Sequence, residues 1–281
     1  MEKILTTGSG GYIGGAIDLK LGNTSYRTER LEGRLQHIRP KSLDHDCIVH
    51  SGGALRHREK ELYESNVLGT ERLLEGIANS DCRIVFISSR AVYAPSEKLI
   101  TEDSPVGPEN DPYGESKLQA EKIVAGSGFP YILIRPTNVY GLGSGNMGIG
   151  FPIKALQRFI NRETVTLHSP DRSHDFLYVQ DLAEIVLLAI RNPQLPNIAM
   201  NAASDPSSLH DLARKLAACF EKKNKVKTSL DIVEGPPPRN AIMDNSLLKK
   251  HFPEFRFTEP ETVLYEMVDY ALHHASTTSK L

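Results

Sequence analysis

The first fourteen residues confine this chain to a narrow set of folds. The short apolar run Lys3-Ile4-Leu5-Thr6 leads directly into Thr7-Gly8-Ser9-Gly10-Gly11-Tyr12-Ile13-Gly14. A strand that passes through glycines into a helix is the turn that a dinucleotide pyrophosphate needs. Gly8 permits the tight turn, Gly11 lets backbone N–H groups approach the phosphates, and Gly14 lets helix pack on strand. Tyr12 and Ile13 open the helix, whose positive end then faces the phosphates. Glycine turns also occur for ordinary structural reasons. A second constellation about a hundred residues later, Ser89, Tyr113 and Lys117, gives this one its meaning.

Apolar runs alternate with helical patterns along the first half. Cys47-Ile48-Val49-His50 ends in Ser51-Gly52-Gly53, and a helical stretch from about Glu59 to Ala78 follows. Arg83-Ile84-Val85-Phe86-Ile87 precedes an acidic, proline-containing loop. A helix from about Tyr113 to Ala125 leads to Tyr131-Ile132-Leu133-Ile134, which Arg135-Pro136 is expected to stop. Short, fully apolar strands separated by helices indicate a parallel sheet covered on both faces. The fold class is therefore α/β, a Rossmann-type doubly wound sheet, and ligands sit at the carboxyl ends of its strands. The glycine turn, Ser51-Gly52-Gly53, Ser88-Ser89 and Arg135-Pro136-Thr137-Asn138 all fall on that rim.

Beyond residue 140 the pattern changes. Gly141, Gly143, Gly145, Gly148 and Gly150 read as a flexible connection, and helical patterns return around Asp181–Arg191, Leu209–Glu221 and Glu259–His274. Residues 1–140 are read as mainly the dinucleotide-binding domain. Residues 141–275 partly complete the sheet and partly build a smaller C-terminal substrate-binding lobe, and 276–281 form a tail.

Composition narrows the partners. The chain has 281 residues, a formal net charge of −2 and 24% charged residues, so no basic excess points to nucleic acid. No apolar run approaches a membrane span. Cys47, Cys82 and Cys219 lack metal-ligand spacing and suit a reducing, cytoplasmic setting. Ser279-Lys280-Leu281 would read as a peroxisomal address only in a eukaryote.

Tyr113 and Lys117 stand four apart, on one face of the expected helix. A phenol with an ordinary pKa of about 10 is a poor acid/base at neutral pH, and a nearby ammonium lowers that value. It can then exchange a proton with a substrate oxygen while hydride passes to or from a nicotinamide. Ser89 can hydrogen-bond the same oxygen.

These motifs resemble the extended short-chain dehydrogenase/reductases, in the NAD-dependent epimerase/dehydratase family that mostly handles nucleotide sugars. The resemblance rests on Thr7-Gly8-x-x-Gly11-x-x-Gly14, Asp46-Cys47-Ile48-Val49-His50 and Asn66-Val67-Leu68-Gly69-Thr70. It continues through Ser88-Ser89-x-x-Val92-Tyr93, Tyr113-Gly114-x-x-Lys117, Arg135-Pro136-Thr137-Asn138-Val139-Tyr140-Gly141 and Asp175-Phe176-Leu177-Tyr178-Val179. It implies Ser89 as an aid to proton transfer, Tyr113 as acid/base and Lys117 as a hold on the nicotinamide ribose. It places Pro136 with the cofactor contacts, and Asn138 and Arg239 against the substrate diphosphate. Arg239 reads equally as a surface loop residue. His174 stands where the family usually has arginine.

Departures from the family pattern narrow the chemistry. Arg90 and Ala91 occupy the positions of the dehydratases' acidic pair, and no cysteine falls on the rim. Reduction of a keto-sugar, oxidation of a hydroxyl and epimerisation at C4 remain. Arg90 either meets the sugar or its phosphates or is an exposed salt-bridging arginine. A non-sugar alcohol or ketone, or cofactor binding without catalysis, are the alternatives. About 30 residues separate the glycine turn from Cys47, shorter than is usual in the family. The second strand is placed around Thr24–Thr28. Its end distinguishes NAD from NADP: Glu29 would grip a ribose 2′-hydroxyl, whereas Arg27 or Arg30 would favour a 2′-phosphate, unless all three are solvated loop charges. The cofactor is therefore NAD or NADP. The resemblance also implies a homodimer formed through the helices at 59–78 and 113–125.

Overall fold

The computed structural model describes residues 2–35, 37, 42–148, 150–168, 173–233 and 242–274. Six strands form one parallel sheet: β1 (Lys3–Thr7), β2 (Arg27–Leu31), β3 (Cys47–His50), β4 (Arg83–Ile87), β5 (Tyr131–Pro136) and β10 (Ile198–Ala202). Their spatial order is β2-β1-β3-β4-β5-β10, a doubly wound order whose reversal lies between β1 and β3. Alternate residues of each strand feed opposite faces. Ile4, Val49, Val85, Ile87, Ile132 and Ile134 enter one core; Leu5, Ile48, Ile84, Phe86 and Leu133 enter the other. Strands buried on both faces can be apolar throughout, as the runs at β3, β4 and β5 are.

The second core is closed by α2 (Gly69–Glu75) and α3 (Pro112–Gly126), through Leu73, Leu74, Ala120 and Val124. The first is closed by α1 (Tyr12–Gly22), α4 (Phe151–Ile160), α5 (Val179–Arg191), α6 (Leu209–Asn224) and α8 (Pro260–His274). Smaller elements complete the described structure. They are β6 (Asn138–Tyr140) paired with β9 (Phe176–Tyr178), β7 (Val165–His168) with β12 (Leu230–Val233), β8 (Ser173–His174) with β11 (Ser207–Ser208), and α7 (Ser246–His251).

Four expectations are corrected. β2 begins at Arg27, three residues later than placed, with Arg27 in register with Lys3 and Leu31 with Thr7. β5 runs through Arg135-Pro136 because the neighbouring β10 continues beside it, Pro136 facing Ala202. The helix from Glu59 is interrupted: a 3-10 turn (Glu59–Glu61), a π-helical segment (Tyr63–Leu68) and then α2, which ends at Glu75. The glycines after residue 140 are a fitted strap. Side chains at Gly143 and Gly148 would strike the ring of Tyr12 at 2.8 and 2.5 Å, and the Tyr12 hydroxyl donates to the Gly141 carbonyl at 2.9 Å. The proline run at 236–238, Arg239 and the tail at 276–281 lie outside the described residues.

Candidate active site

The rim begins at the reversal point, where two loops meet backbone to backbone. Gly8 has φ +73°, and a Cβ there would lie 2.6 Å from the Gly52 nitrogen. A Cβ at Gly14 would lie 2.1 Å from the Gly8 carbonyl oxygen and 2.6 Å from Ser51 Oγ. Ser51 Oγ donates to the Thr7 carbonyl, and Gly52 N–H donates to Thr7 Oγ1 at 3.0 Å. Gly11 caps α1 with no side-chain hydrogen bond, and the first turn carries no acidic residue. The uncapped N–H groups at that positive helix end suit an anion, so the cradle fits a dinucleotide pyrophosphate. Tyr12 can contribute only backbone there, because its side chain is engaged by the strap; Ile13 packs against the first core.

A buried polar chain supports the cradle. His50 is fully buried between Thr7 Oγ1, 2.8 Å from Nδ1, and Thr70 Oγ1, 3.0 Å from Nε2. Thr70 Oγ1 donates to the Asn66 carbonyl and Thr7 Oγ1 accepts from Gly52, so the network selects the Nε2–H tautomer. Burial, with Lys117 nearby, lowers the His50 pKa to about 3. Asn66, inside the π-helical segment, clasps Ala54 through both backbone groups at 2.6 and 3.2 Å and reaches Ser116 Oγ at 2.9 Å. It also fills the space where a Gly53 Cβ would stand, 2.5 Å from its Oδ1. Asn66 and Thr70 thereby tie the β3 loop to α3.

The residues expected to transfer protons, Ser89, Tyr113 and Lys117, assemble beside this cradle. Ser89, in extended conformation, caps the turn at Arg90–Val92 by accepting from Ala91 N–H at 3.1 Å, and its hydroxyl lies near enough to Tyr113 to pull the phenol's pKa down. Tyr113 enters on the first turn of α3. Lys117, one turn on and 5% exposed, donates from Nζ to the Ile87 carbonyl at 2.8 Å and lies 4.8 Å from the Phe86 ring centroid. A Gly53 Cβ would be 3.9 Å from that Nζ, so the ammonium sits between the end of β4 and the cradle. Burial lowers the Lys117 pKa to about 8. The expected charge effect is redistributed. Burial raises the Tyr113 pKa, and the groups that pull it down are Ser89 and the Arg56 guanidinium.

A cleft of about 470 Å³ opens over Ser89, lined by Arg56, Arg90, Asp111, Asn138 and His174 among others. Three of the four expected substrate residues thus share one cavity with Ser89. Arg90 Nη1 lies 3.7 Å from Asp175, a fully buried carboxylate that accepts from Thr137 Oγ1 at 2.6 Å and Met243 N–H at 2.8 Å. The His174 ring packs 5.3 Å from Phe176. Pro136 is buried in the last pair of β5 with β10, two residues before Asn138.

The proposed nucleotide readers are not brought to the rim together. Arg27 is the first residue of β2, at the end away from the glycine turn, and Glu29 lies mid-strand, bonded to His45 and ion-paired with Arg27. The His45 hydrogen bond holds the Glu29 carboxyl below its ordinary pKa. Arg30 is tied to Asp18 of α1 at 2.5 Å. Glu32, exposed one residue past β2, occupies the strand end instead. Arg56 and Asp111 are further residues that spacing did not point to, and Asp175, quoted above only within a motif, proves to be the buried partner of Arg90. Their signal was weak: Asp111 directly precedes α3 and Arg56 lies within a loop, places that say nothing of a partner.

The chain belongs to the NAD dependent epimerase/dehydratase family, which matches residues 33–203, more than half its length. It is thus an NAD(P)-dependent enzyme of the extended short-chain dehydrogenase type, within a family of nucleotide-sugar enzymes. A putative UDP-glucose 4-epimerase of Methanocaldococcus jannaschii is 28% identical, over 75% of this chain and 81% of that protein. UDP-glucose 4-epimerase 4 of Oryza sativa subsp. japonica is 29% identical, over 88% of this chain and 83% of the rice protein. The fold matches the crystal structure of UDP-glucuronic acid 4-epimerase from Bacillus cereus in complex with NAD. The TM-score is 0.78 and the identity 18%, over 96% of this chain and 99% of that one. Among the described residues, no helix is long and apolar enough to cross a membrane.

Proposed function

We propose that the chain is a nucleotide-sugar 4-epimerase acting on a UDP-hexose, with Tyr113 as the acid/base. The observation that carries this reading is the placing of Ser89 on the substrate cleft, near enough to the Tyr113 phenol to oppose the rise in its pKa, and followed by Arg90 and Ala91. The pair can take a proton from a sugar hydroxyl and give it back, and no acidic pair follows Ser89 to remove water. Both relatives named above are UDP-glucose 4-epimerases by name, which supports the choice of sugar position.

With its pyrophosphate in the glycine cradle, the dinucleotide would supply, through its nicotinamide, the acceptor and donor of hydride at C4. The chain's own residues do the rest. Tyr113 removes the 4-hydroxyl proton as hydride leaves, Ser89 orients that oxygen, and Lys117 holds the ribose near the end of β4. The resulting 4-keto-hexose turns over in the cleft, and Tyr113 returns the proton after hydride re-enters the other face. Asn138, Arg90 and His174 hold the diphosphate and sugar; Arg239 would join them. Glu32 is the proposed ribose reader and favours NAD over NADP. Tyr113→Phe tests the mechanism with UDP-glucose as probe. Turnover should fall by at least about 100-fold while NAD still binds, and activity retained near wild type would end this reading.

A further inference from the structure

The cation over the face of Tyr113 is Arg56. It lies in the loop between β3 and the 3-10 turn, and its guanidinium carbon is 5.2 Å from the ring centroid. Nη1 of Arg56 is ion-paired with Asp111. Asp111 occupies the N-cap of α3, where an aspartate ordinarily accepts a hydrogen bond from the helix backbone. Here its carboxylate makes no cap hydrogen bond and holds the guanidinium instead. Both residues line the substrate cleft.

The other polar and charged groups around the phenol come from three directions. From the β4 side, Ser89 approaches it, and Arg90 beside Ser89 is drawn towards Asp175. From the loop before α3 comes Asp111, with Glu109 further along the cleft wall. Along α3, Lys117 has its Nζ committed to the Ile87 carbonyl.

We propose that Arg56, held by Asp111, is a positioning residue for Tyr113: it clamps the ring against Ser89 and supplies the positive charge that stabilises the phenolate. Tyr-x-x-x-Lys spacing alone would give that charge to Lys117. The proposal rests on Tyr113 being the acid/base. A guanidinium stacked on an aromatic face is attracted by the ring and favours its anionic form. Burial raises the Tyr113 pKa, Ser89 and Arg56 oppose that, and Asp111 offsets part of the gain.

The test reads the phenol directly. The full chain is labelled with ¹³Cζ-tyrosine, and the Tyr113 resonance is assigned by its loss in Tyr113→Phe. It is then titrated in wild type, Arg56→Gln and Arg56→Lys, with and without NAD. The Arg56 side chain is 62% exposed, so both changes should leave the fold intact by circular dichroism, and Arg56→Met serves as a second neutral variant. In Arg56→Gln the pH at which a tenth of Tyr113 is ionised should rise by about one unit, and Arg56→Lys should recover most of it. The same shift should appear in the pH profile of turnover with UDP-glucose. An onset unmoved in both neutral variants overturns the proposal. Turnover unaffected by Tyr113→Phe would instead overturn the acid/base reading, whatever the titration shows.

Discussion

His50 is the residue whose burial has the clearest consequence for pH. It is neutral in the fold, its pKa lowered by burial to about 3, whereas the unfolded chain takes a proton at about 6.5. Below pH 6.5 the unfolded state therefore binds a proton that the folded state refuses. This site lowers stability by about 1.4 kcal/mol per pH unit down to about pH 3, and contributes no such slope above 6.5. The imidazole resonances of His50 should stay fixed between pH 5 and 8, and a midpoint near 6.5 would contradict its place in the network. Gly14→Ala is expected to be equally local. Its methyl would meet the Gly8 carbonyl, so stability should fall by about 1–3 kcal/mol in urea titrations, and NAD affinity at least about tenfold. The position of the glycines, Ser89, Tyr113 and Lys117 in the fold was legible because each motif sits in a fixed place after a strand or on one helix face. Arg56 was not, since partners more than fifty residues away leave no trace in local spacing.

At the scale of elements, the apolar strands announced themselves and the polar one did not. β3 and β4 follow the apolar runs because both faces of the sheet are covered there. β2 is an edge strand, with Arg27 and Arg30 exposed, so no periodicity marked its start. That displacement by three residues is what put Glu29 at a strand end and hid Glu32. The interruption of the helix from Glu59 has a similar cause: π-helical winding places Asn66 against Ala54 and Ser116, contacts that a regular helical pattern cannot foresee. Between β5 and α3, Arg135 and Glu121 form a buried bidentate pair at 2.9 and 2.7 Å, with Tyr93 on Arg135 Nη1. Removing one partner strands a buried charge. Glu121→Ala should cost about 3–5 kcal/mol by denaturant titration, and Glu121→Leu combined with Arg135→Met should recover most of it.

The whole molecule places its chemistry on one rim. The sheet order brings the glycine turn and the β3 loop together, the ends of β4 and β5 extend that rim, and the C-terminal half both adds β10 to the sheet and walls the cleft with His174. The strap of glycines after residue 140, expected as a flexible connection, proved to be packed. Because the cofactor cradle exists only in the folded chain, NAD at 100 times its dissociation constant should stabilise the protein by about 2.7 kcal/mol, seen as a higher Tm. The proposed homodimer predicts twice the chain mass by light scattering. The most direct test of 4-epimerisation follows UDP-[4-²H]glucose and NAD by NMR and mass spectrometry. Conversion to UDP-galactose with the deuterium retained and no net NADH is expected. Accumulation of keto-sugar and NADH without the C4 epimer would contradict it.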